Sequence, residues 1–523
     1  MLHYDPGTPR CLVLAPLDEF NAALLARVHP PDWQNPTPQP LYDLVAIGGG
    51  TAGLVAAAGT AGLGGKVALV ERGLLGGDCL NFGCVPSKAL IRAARAAYDV
   101  GRAAEFGIHV ASGGRQPPEA AAVDFAAVMS RLRRLRAEIS ENDSAQRFQK
   151  LGVDVFLGDA RFTSRQTIEV AGQTLRFKRC VIATGGRAAL PDVPGLEEAA
   201  CLTNETVFSL TELPRRLMVI GGGPIGCELA QAFRRFGSEI TLVQRGQRLL
   251  AKDEPEAAEI LARQFEREGI KLLFGATSVR AETAGGIKRL LVNSGGRQQG
   301  LDADAVLVAA GRTPNIEGLN LAAAGVEHNN RGVIVDDFLQ TANPRIMAAG
   351  DVAGGYQFTH AADAMARACV QNAFFSLAGF GRKRLSGLVV PWTTYTDPEI
   401  AHVGLTPASA ADQHLEIDSY REELRHVDRA ILDGDDEGFA VIHCRRGTPQ
   451  VVGCTIVARH AGEMIGEVSL LMTARIPLSK LAGTIHCYPT QAEILKRLGD
   501  QYNKRRLTPR VADVLKAIIG WRS

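Results

Sequence analysis

Twice along the chain an apolar run breaks at a glycine-rich turn and resumes as a small-residue helical stretch. Leu41 to Ile47 (LYDLVAI) runs into GGGTAG and then an alanine-rich segment. Leu217 to Ile220 (LMVI) runs into GGGPIG and another helical pattern. Each reads as strand, tight turn, helix. A second strand follows each helix: Lys66 to Val70, ending in Glu71, and Ile240 to Val243, ending in Gln244. Ala305 to Arg312 and Arg345 to Val352 are further apolar strands that end in polar turns. Val153 to Phe162 and Ile168 to Phe177 alternate like strands, and Pro117 to Gln149 is charged with helical periodicity. From Pro391 the pattern changes. Strands around Phe439 to Cys444 and Gln450 to Val457 fit an antiparallel sheet, and Gly462 to Met472 reads as a helix. Before all this, Leu17 to Val28 predicts a short amphipathic helix. Pro30, Pro31, Pro36, Pro38 and Pro40 then predict a stiff linker.

The turns carry chemistry. Gly48, Gly50 and Gly53 match GxGxxG, with Thr51 and Ala52 inside the match. The first two glycines let the backbone turn and approach a pyrophosphate, and the third lets helix pack on strand. The phosphate then meets a helix N-terminus, where free N–H groups and the dipole favour anions. Glu71 lies where an acid would meet ribose hydroxyls. Gly221, Gly223 and Gly226 repeat the motif around Ile225, so the chain carries two such units and implies two dinucleotides.

Between the first unit and the rest stands Gly76 to Lys88, GGDCLNFGCVPSK. Cys79 and Cys84 are five positions apart, about 7.5 Å along a straight helix. That exceeds the roughly 7 Å limit between Cα atoms joined by a disulfide. A pairing therefore requires a bend, and Gly83 is where the chain can bend. The spacing leaves two readings open: a reactive disulfide, or two thiols buried as small hydrophobes. Lys88 lies one helical turn past Cys84 and can face the same side, where a cation stabilises a thiolate.

Composition narrows the picture less. The 523 residues imply several domains, and 46% apolar with 22% charged residues is ordinary for a globular protein. A net charge of +2 implies neither a nucleic-acid nor a membrane partner. No apolar run is long enough to span a bilayer, and MLHYDPGTPR is not expected to be a signal peptide. Of ten cysteines only Cys79 and Cys84 form a close pair, which fits a reducing cytoplasm. No metal-ligand spacing is present.

GGDCLNFGCVPSK closely resembles the redox-active segment of the flavoprotein pyridine nucleotide-disulfide oxidoreductases (class I), which include lipoamide dehydrogenase, glutathione reductase and mercuric reductase. GDARF, CVIATG, AAGRTPN, AAGDV and TTYTDPEIAHVG resemble later segments of the same family, so the likeness runs from Leu41 onward. It implies an α/β fold with two Rossmann-like dinucleotide-binding domains and an α+β C-terminal dimerisation domain. The expected boundaries are 1–40 for an N-terminal arm and linker, 41–190 with 311–386 for a discontinuous FAD-binding domain, 191–310 for the NAD(P)H-binding domain and 387–523 for dimerisation. The many mercuric reductases with a metal-binding domain at the N-terminus carry paired cysteines there; this arm has only Cys11.

The resemblance assigns FAD to Gly48, Gly50, Thr51, Ala52, Gly53, Glu71, Arg72, Gly77, Asp78, Lys88, Ala160, Ala183, Thr184, Gly185, Asp351 and Phe358. Asp351 would accept a bond from the ribityl chain, and Phe358 to Ala361 would open a helix near the isoalloxazine. Gly221, Gly223, Ile225, Gly226, Gln244, Arg245, Arg248 and Gly311 would hold the nicotinamide nucleotide. An acid at Gln244 would repel a 2′-phosphate; its absence, with Arg245 and Arg248 near, favours NADPH, while NADH stays open. Lys88 would pair with Glu228. Electrons would pass through flavin to the Cys79–Cys84 disulfide, with Cys84 flavin-proximal and Cys79 the interchange thiol.

One stretch departs from the family. At Ile485 to Glu493 (IHCYPTQAE), Pro489, Thr490 and Glu493 match, but Tyr488 stands where the disulfide reductases carry an acid–base histidine. Tyrosine titrates near 10, against about 6.5 for histidine. His486, two residues earlier, would share a face with Tyr488 on an extended strand. Mercuric reductases also lack that histidine, yet end in a vicinal cysteine pair absent from AIIGWRS. The implied assembly is a cytoplasmic homodimer whose site Tyr488, His486 and Glu493 complete from the other subunit. The acceptor stays open between a small or protein disulfide and, in a mercuric-type enzyme, a metal ion. A dihydrolipoamide-dehydrogenase-like enzyme and a non-turnover redox sensor are the further readings.

Overall fold

The computed structural model describes residues 14–109, 123–376 and 380–522. Cys11 and residues 117–122 lie outside them. Two compact units emerge: the chain up to Arg245 with Gly269–Leu388, and Gly246–Glu268 with the chain from Val389 onward.

The first unit is built on two sheets, the larger one mixed and the smaller one parallel. Strands Val153–Leu157, Val67–Glu71, Tyr42–Ile47 and Gln173–Ile182 lie side by side, with Ile346–Ala348 added to the last. The register sets Val45 opposite both Ala68 and Cys180. Both faces of Tyr42–Ile47 are covered, which is why it reads as a continuous apolar run and not an alternating one. The addition of Ile346–Ala348 brings the chain back to this sheet after it has left to build the second, so RIMAAGDV does return as the resemblance implied. The second sheet orders Lys271–Leu273, Glu239–Val243, Arg216–Ile220 and Ala305–Val308, all parallel.

Several elements differ from expectation for local reasons. Ile168 to Phe177 is not one strand but a hairpin, Thr167–Val170 and Gln173–Ile182. Its two-residue turn places Ala171 and Gly172 at φ +47° and +74°, the positive pair that matches strand twist. Val153 to Phe162 breaks at Gly158. A three-stranded antiparallel sheet, Ala276–Ala284 with Ile287–Ser294 and Arg297–Ala303, has no counterpart in the expected elements. The N-terminal helix is Glu19–Val28, capped by Asp18, whose carboxylate accepts from Asn21 N.

The second unit is a five-stranded antiparallel sheet in the order Pro391–Thr394, Glu399–Gly404, Val451–Ala458, Phe439–Arg445, Ile417–Glu423. Helices Ala461–Thr473 and Glu493–Arg506 close its core around Ile442, Ile456, Ile465 and Leu498. Helix Pro255–Arg267 groups with this sheet, tied by Glu256 to Arg421 and by Arg267 to Glu437.

Candidate active site

The two glycine turns have one geometry. Gly48 sits at φ +108° and Gly221 at +113°. A Cβ on either would lie 2.3 Å from a carbonyl oxygen of the neighbouring strand end, Ala183 O or Ala309 O. A Cβ on Gly53 would meet Gly48 O at 1.8 Å, and one on Gly226 would meet Gly221 O at 1.9 Å. Only glycine fits at these four positions. Gly50 and Gly223 cap the helices Thr51–Gly62 and Pro224–Phe236 without any side-chain bond. Their first-turn N–H groups are thus left for an anion. Gly77, at φ +57°, packs so tightly on Gly50 that its Cβ would fall 2.6 Å from Gly50 Cα. The redox segment is therefore pinned to the first phosphate turn.

The strand-end groups differ. Glu71 accepts from Gly49 N and Gly73 N, both at 2.5 Å, and burial pushes its pKa up. Gln244 stands at the same place beside the second glycine turn, and its Oε1 accepts from Gly222 N at 3.0 Å. Arg245 beside it is exposed. Arg248 falls in the other compact unit, and its guanidinium donates to the carbonyls of Leu250, Ala251 and Asp253. The structure thus brings Gln244 and Arg245 to the second glycine turn but turns Arg248 into its own loop.

Around the first turn, Ala183 is buried, Thr184 Oγ1 donates to Asn315 O at 2.6 Å and Gly185 is left-handed. Ala160 is buried in its strand, and Arg72 is half-buried after Glu71. Asp78 and Asp351 share one cation, Arg312, at 3.1 and 2.9 Å. Asn204 Nδ2 also donates to Asp78, at 2.8 Å. Gly311 precedes Arg312 at φ +142°. Ile225 is exposed in the second helix's first turn.

Phe82 and Gly83 divide the redox segment into helices Gly77–Asn81 and Cys84–Gly101. This is the bend at Gly83 that the cysteine spacing demands. Cys79 and Cys84 are free thiols whose sulfurs hydrogen-bond each other. Cys84 opens the second helix, and its Sγ lies 3.3 Å from Thr359 Oγ1. The bond from Cys79, then Thr359 and Lys88, hold the Cys84 thiol down to about 6 despite desolvation. The helix N-terminus adds to this stabilisation of a thiolate. The Cys79 thiol is pushed well up by the same bond and by burial. One turn on, Lys88 Nζ meets Glu228 Oε2 at 2.8 Å, with Glu228 itself buried in helix Pro224–Phe236.

Two residues were missed in the sequence. Thr359, the first residue of helix Thr359–Phe374 and next to the expected Phe358, is 275 positions from Cys84. Arg312 lay within the quoted AAGRTPN but was not singled out as the shared partner of two acids. Motif membership was the available signal in each case.

The C-terminal segment differs from expectation. Thr484 to Pro489 forms no strand, and Pro489 would in any case remove a ladder donor. His486 and Tyr488 consequently do not act as a strand pair. His486 Nε2 bonds Glu467 at 3.3 Å and its Nδ1 lies 3.2 Å from Thr484 O. Tyr488 is exposed and its Oη donates to Asp428 at 2.8 Å, which raises its pKa. Glu493 opens helix Glu493–Arg506, with Oε1 accepting from Arg497 and Oε2 buried without a hydrogen bond.

Two uncapped helix N-termini behind side-chain-intolerant glycines fit two dinucleotide pyrophosphates, and Glu71 fits a ribose. Beside them a thiol pair has one member biased to thiolate. Fold and site define a dithiol oxidoreductase with two nucleotide sites. The chain belongs to the pyridine nucleotide-disulphide oxidoreductase family: residues 42–366 match that family and residues 390–498 its dimerisation domain. It is an NAD(P)H-dependent flavoprotein of the disulfide oxidoreductase type. It is 37% identical over 464 residues to a mercuric reductase of Lysinibacillus sphaericus, covering 88% of this chain and 83% of that one. It is 33% identical over 460 residues to a dihydrolipoyl dehydrogenase of Chlamydia muridarum, covering 87% and 95%. Among solved structures it is similar to the HOCl-induced flavoprotein disulfide reductase RclA from Escherichia coli. The TM-score is 0.76 at 27% identity, over 88% of this chain and 99% of that one. A Cu(II) complex of RclA aligns with the same TM-score at 26% identity, over 87% and 98%.

Proposed function

We propose that this chain is an NADPH-preferring reductase that delivers electrons through Cys84 and Cys79 to a disulfide acceptor. The observation that carries the reading is the polarised thiol pair: Cys84 held toward thiolate at a helix N-terminus, Cys79 held as thiol beside it.

FAD, when held by the first glycine turn, Glu71 and the Asp78–Arg312–Asp351 cluster, supplies two-electron transfer between nicotinamide and thiols. The chain's own residues do the rest. Gly223, Gly226 and the uncapped helix bind the NADPH pyrophosphate. Gln244 presents a neutral amide where a carboxylate would repel the 2′-phosphate, and Arg245 adds attraction. Thr359 and the Lys88–Glu228 pair keep Cys84 deprotonated. Cys79 Sγ attacks the acceptor disulfide, and its proton passes by way of Cys84 to the thiolate that leaves. The Cys84 thiolate then attacks Cys79 Sγ, which closes Cys79–Cys84 and releases the second thiolate. In a homodimer, Tyr488, His486 and Glu493 of one copy complete the other's site.

A second reading, reduction of a soft metal ion, is favoured by one observation. Tyr488 Oη donates to Asp428 and both His486 nitrogens lie against oxygen atoms, Thr484 O and Glu467 Oε2, so both groups are already committed to partners. A disulfide acceptor releases thiolates that need protons; a metal ion held by two thiolates does not. The relatives named mercuric reductase and the Cu(II) complex of RclA point the same way.

The test is anaerobic and then steady-state. Cys79→Ala should keep reduction by NADPH but lose turnover; unchanged turnover refutes the assignment. NADPH oxidation driven by small disulfides and not by Hg(II) or Cu(II) supports the first reading, and the reverse establishes the second.

A further inference from the structure

Residues 14–40 precede the part of the chain that matches the family, yet they are built into the first unit. Leu24 and Val28, on helix Glu19–Val28, are fully buried in the same core as Leu75 and Leu80 around the redox segment. Past the helix, Trp33 Nε1 donates to Val155 O at 3.1 Å. Asn35 takes both backbone groups of Leu157, accepting from its N at 2.8 Å and donating to its O at 2.9 Å. Val153–Leu157 is an edge strand of the larger sheet, so these bonds cover groups that an open edge leaves unpaired.

The arm grips the redox segment both before and after Cys79. Before it, Val28 O accepts from Leu75 N at 3.1 Å, and His29 Nδ1 donates to Gly73 O at 2.6 Å. Gly73 N in turn donates to Glu71, the acid at the first strand end. After it, the contact runs through Arg136 of helix Phe125–Ile139. Arg136 Nη2 donates to Asn21 Oδ1 at 2.5 Å, and its Nη1 donates to Asn81 O at 2.7 Å. All three side chains are buried. Asn21 is itself fixed, its Nδ2 donating to Pro16 O at 2.7 Å and its N to Asp18, which also takes Arg133 at 2.5 Å. Asn81 ends helix Gly77–Asn81, two residues after Cys79 and three before Cys84. The last carbonyls of a helix have no partner within it, and a cation there satisfies one and complements the dipole. Asn81 Nδ2 also donates to Leu75 O at 3.1 Å and Gly77 O at 2.8 Å, so the short helix that carries Cys79 is tied at both ends. One rigid guanidinium plane donates in both directions at once, which a lysine ammonium does not reproduce. Loss of the Asn21 acceptor would leave a buried N–H of that guanidinium unpaired.

Resting on the thiol-pair reading above, we propose that the N-terminal arm is a brace for the redox segment, and that Arg136 is the positioning residue through which Asn21 fixes the helix of Cys79 against Cys84. The bend at Phe82 and Gly83 then starts from a fixed point, and the two sulfurs stay within hydrogen-bond reach of each other.

The experiment compares Asn21→Leu, Asn21→Asp and Arg136→Lys with Asn35→Ala, each in the full-length, FAD-loaded protein. Asn35→Ala loosens the arm where it meets Leu157 and serves as the control for stability alone. The readouts are the long-wavelength thiolate–flavin absorbance at two electrons, the pH profile of Cys84 alkylation, and kcat against the KM for NADPH. The bond from Cys79 does most to hold the Cys84 thiol at about 6, so a displaced Cys79 moves the alkylation profile to higher pH. Asn21→Leu and Arg136→Lys should show that movement, lose about half of the absorbance or more, and cut kcat about tenfold with the KM for NADPH unchanged. Asn21→Asp keeps an acceptor for Arg136 and should restore all three. Asn35→Ala should lower the melting temperature and leave them in place. If Asn21→Leu and Arg136→Lys lose melting temperature but keep the absorbance, profile and kcat of the parent, the arm is packing alone and the proposal falls. It falls too if Asn21→Asp is as impaired as Asn21→Leu. A parent protein without the absorbance overturns the thiol-pair reading itself, and the brace with it.

Discussion

The two glycine turns are nearly the same object twice. Gly48 and Gly221 share a positive φ, and Gly53 and Gly226 share a contact no side chain survives. Even the bond from the turn to the strand end recurs, Gly49 N to Glu71 and Gly222 N to Gln244. What differs is the charge at that strand end and what the following helix carries. Beside the first turn the strand ends in a carboxylate bound by two N–H groups; beside the second it ends in an amide next to an exposed arginine. The second helix also contributes Glu228 to Lys88 and so reaches the redox segment. The backbone geometry is repeated in both turns, while the side chain at the strand end changes from a carboxylate to an amide.

The strongest break in the symmetry comes from the third glycines. Gly53→Ala should cost FAD retention and stability together, since its Cβ meets backbone and not a movable side chain. Overpacking of this kind costs roughly 1–3 kcal/mol or more. Gly226→Ala should leave the flavin bound and cut its reduction by NADPH. Flavin content after gel filtration and stopped-flow reduction separate the two; equal flavin loss in both would undo the division of labour. Next in size, Gln244→Glu should shift preference toward NADH by about tenfold or more through repulsion of the 2′-phosphate. The ratio of kcat/KM for the two nucleotides reads it, and an unchanged ratio would place selection elsewhere. Smaller still is Thr359→Val. Removal of a hydrogen bond to the Cys84 thiolate should raise its pKa from about 6 by roughly half a unit to one unit. The pH profile of alkylation at Cys84 measures this; no upward movement would deny Thr359 its positioning role.

Much of this was legible in the chain. GxGxxG placed both turns because each glycine answers to a local clash, and Gly83 was identifiable as the bend because two cysteines five apart cannot meet on a straight helix. Thr359 and Arg312 were not, because their partners lie across long stretches of sequence and no local pattern records such contacts. Ile168 to Phe177 looked like one strand because alternation continues through Ala171–Gly172, and only the left-handed pair reveals the turn. His486 and Tyr488 were placed on one face by a strand period, but the segment has no strand and each side chain found its own acid. Arg248 looked available beside Gln244 until its loop supplied three carbonyls.

The central claim is that electrons from the pyridine nucleotide reach a thiol pair in which Cys84 is the thiolate. Anaerobic titration of the FAD-loaded protein with NADPH, followed by its visible spectrum, tests this directly. Because the Cys84 pKa is depressed to about 6, the thiolate is present above that pH and protonated below it. The account predicts a long-wavelength thiolate–flavin absorbance at two electrons, present at pH 8 and lost as pH falls through about 6. Direct bleaching of the flavin with no such absorbance, or an absorbance indifferent to acid, would contradict it.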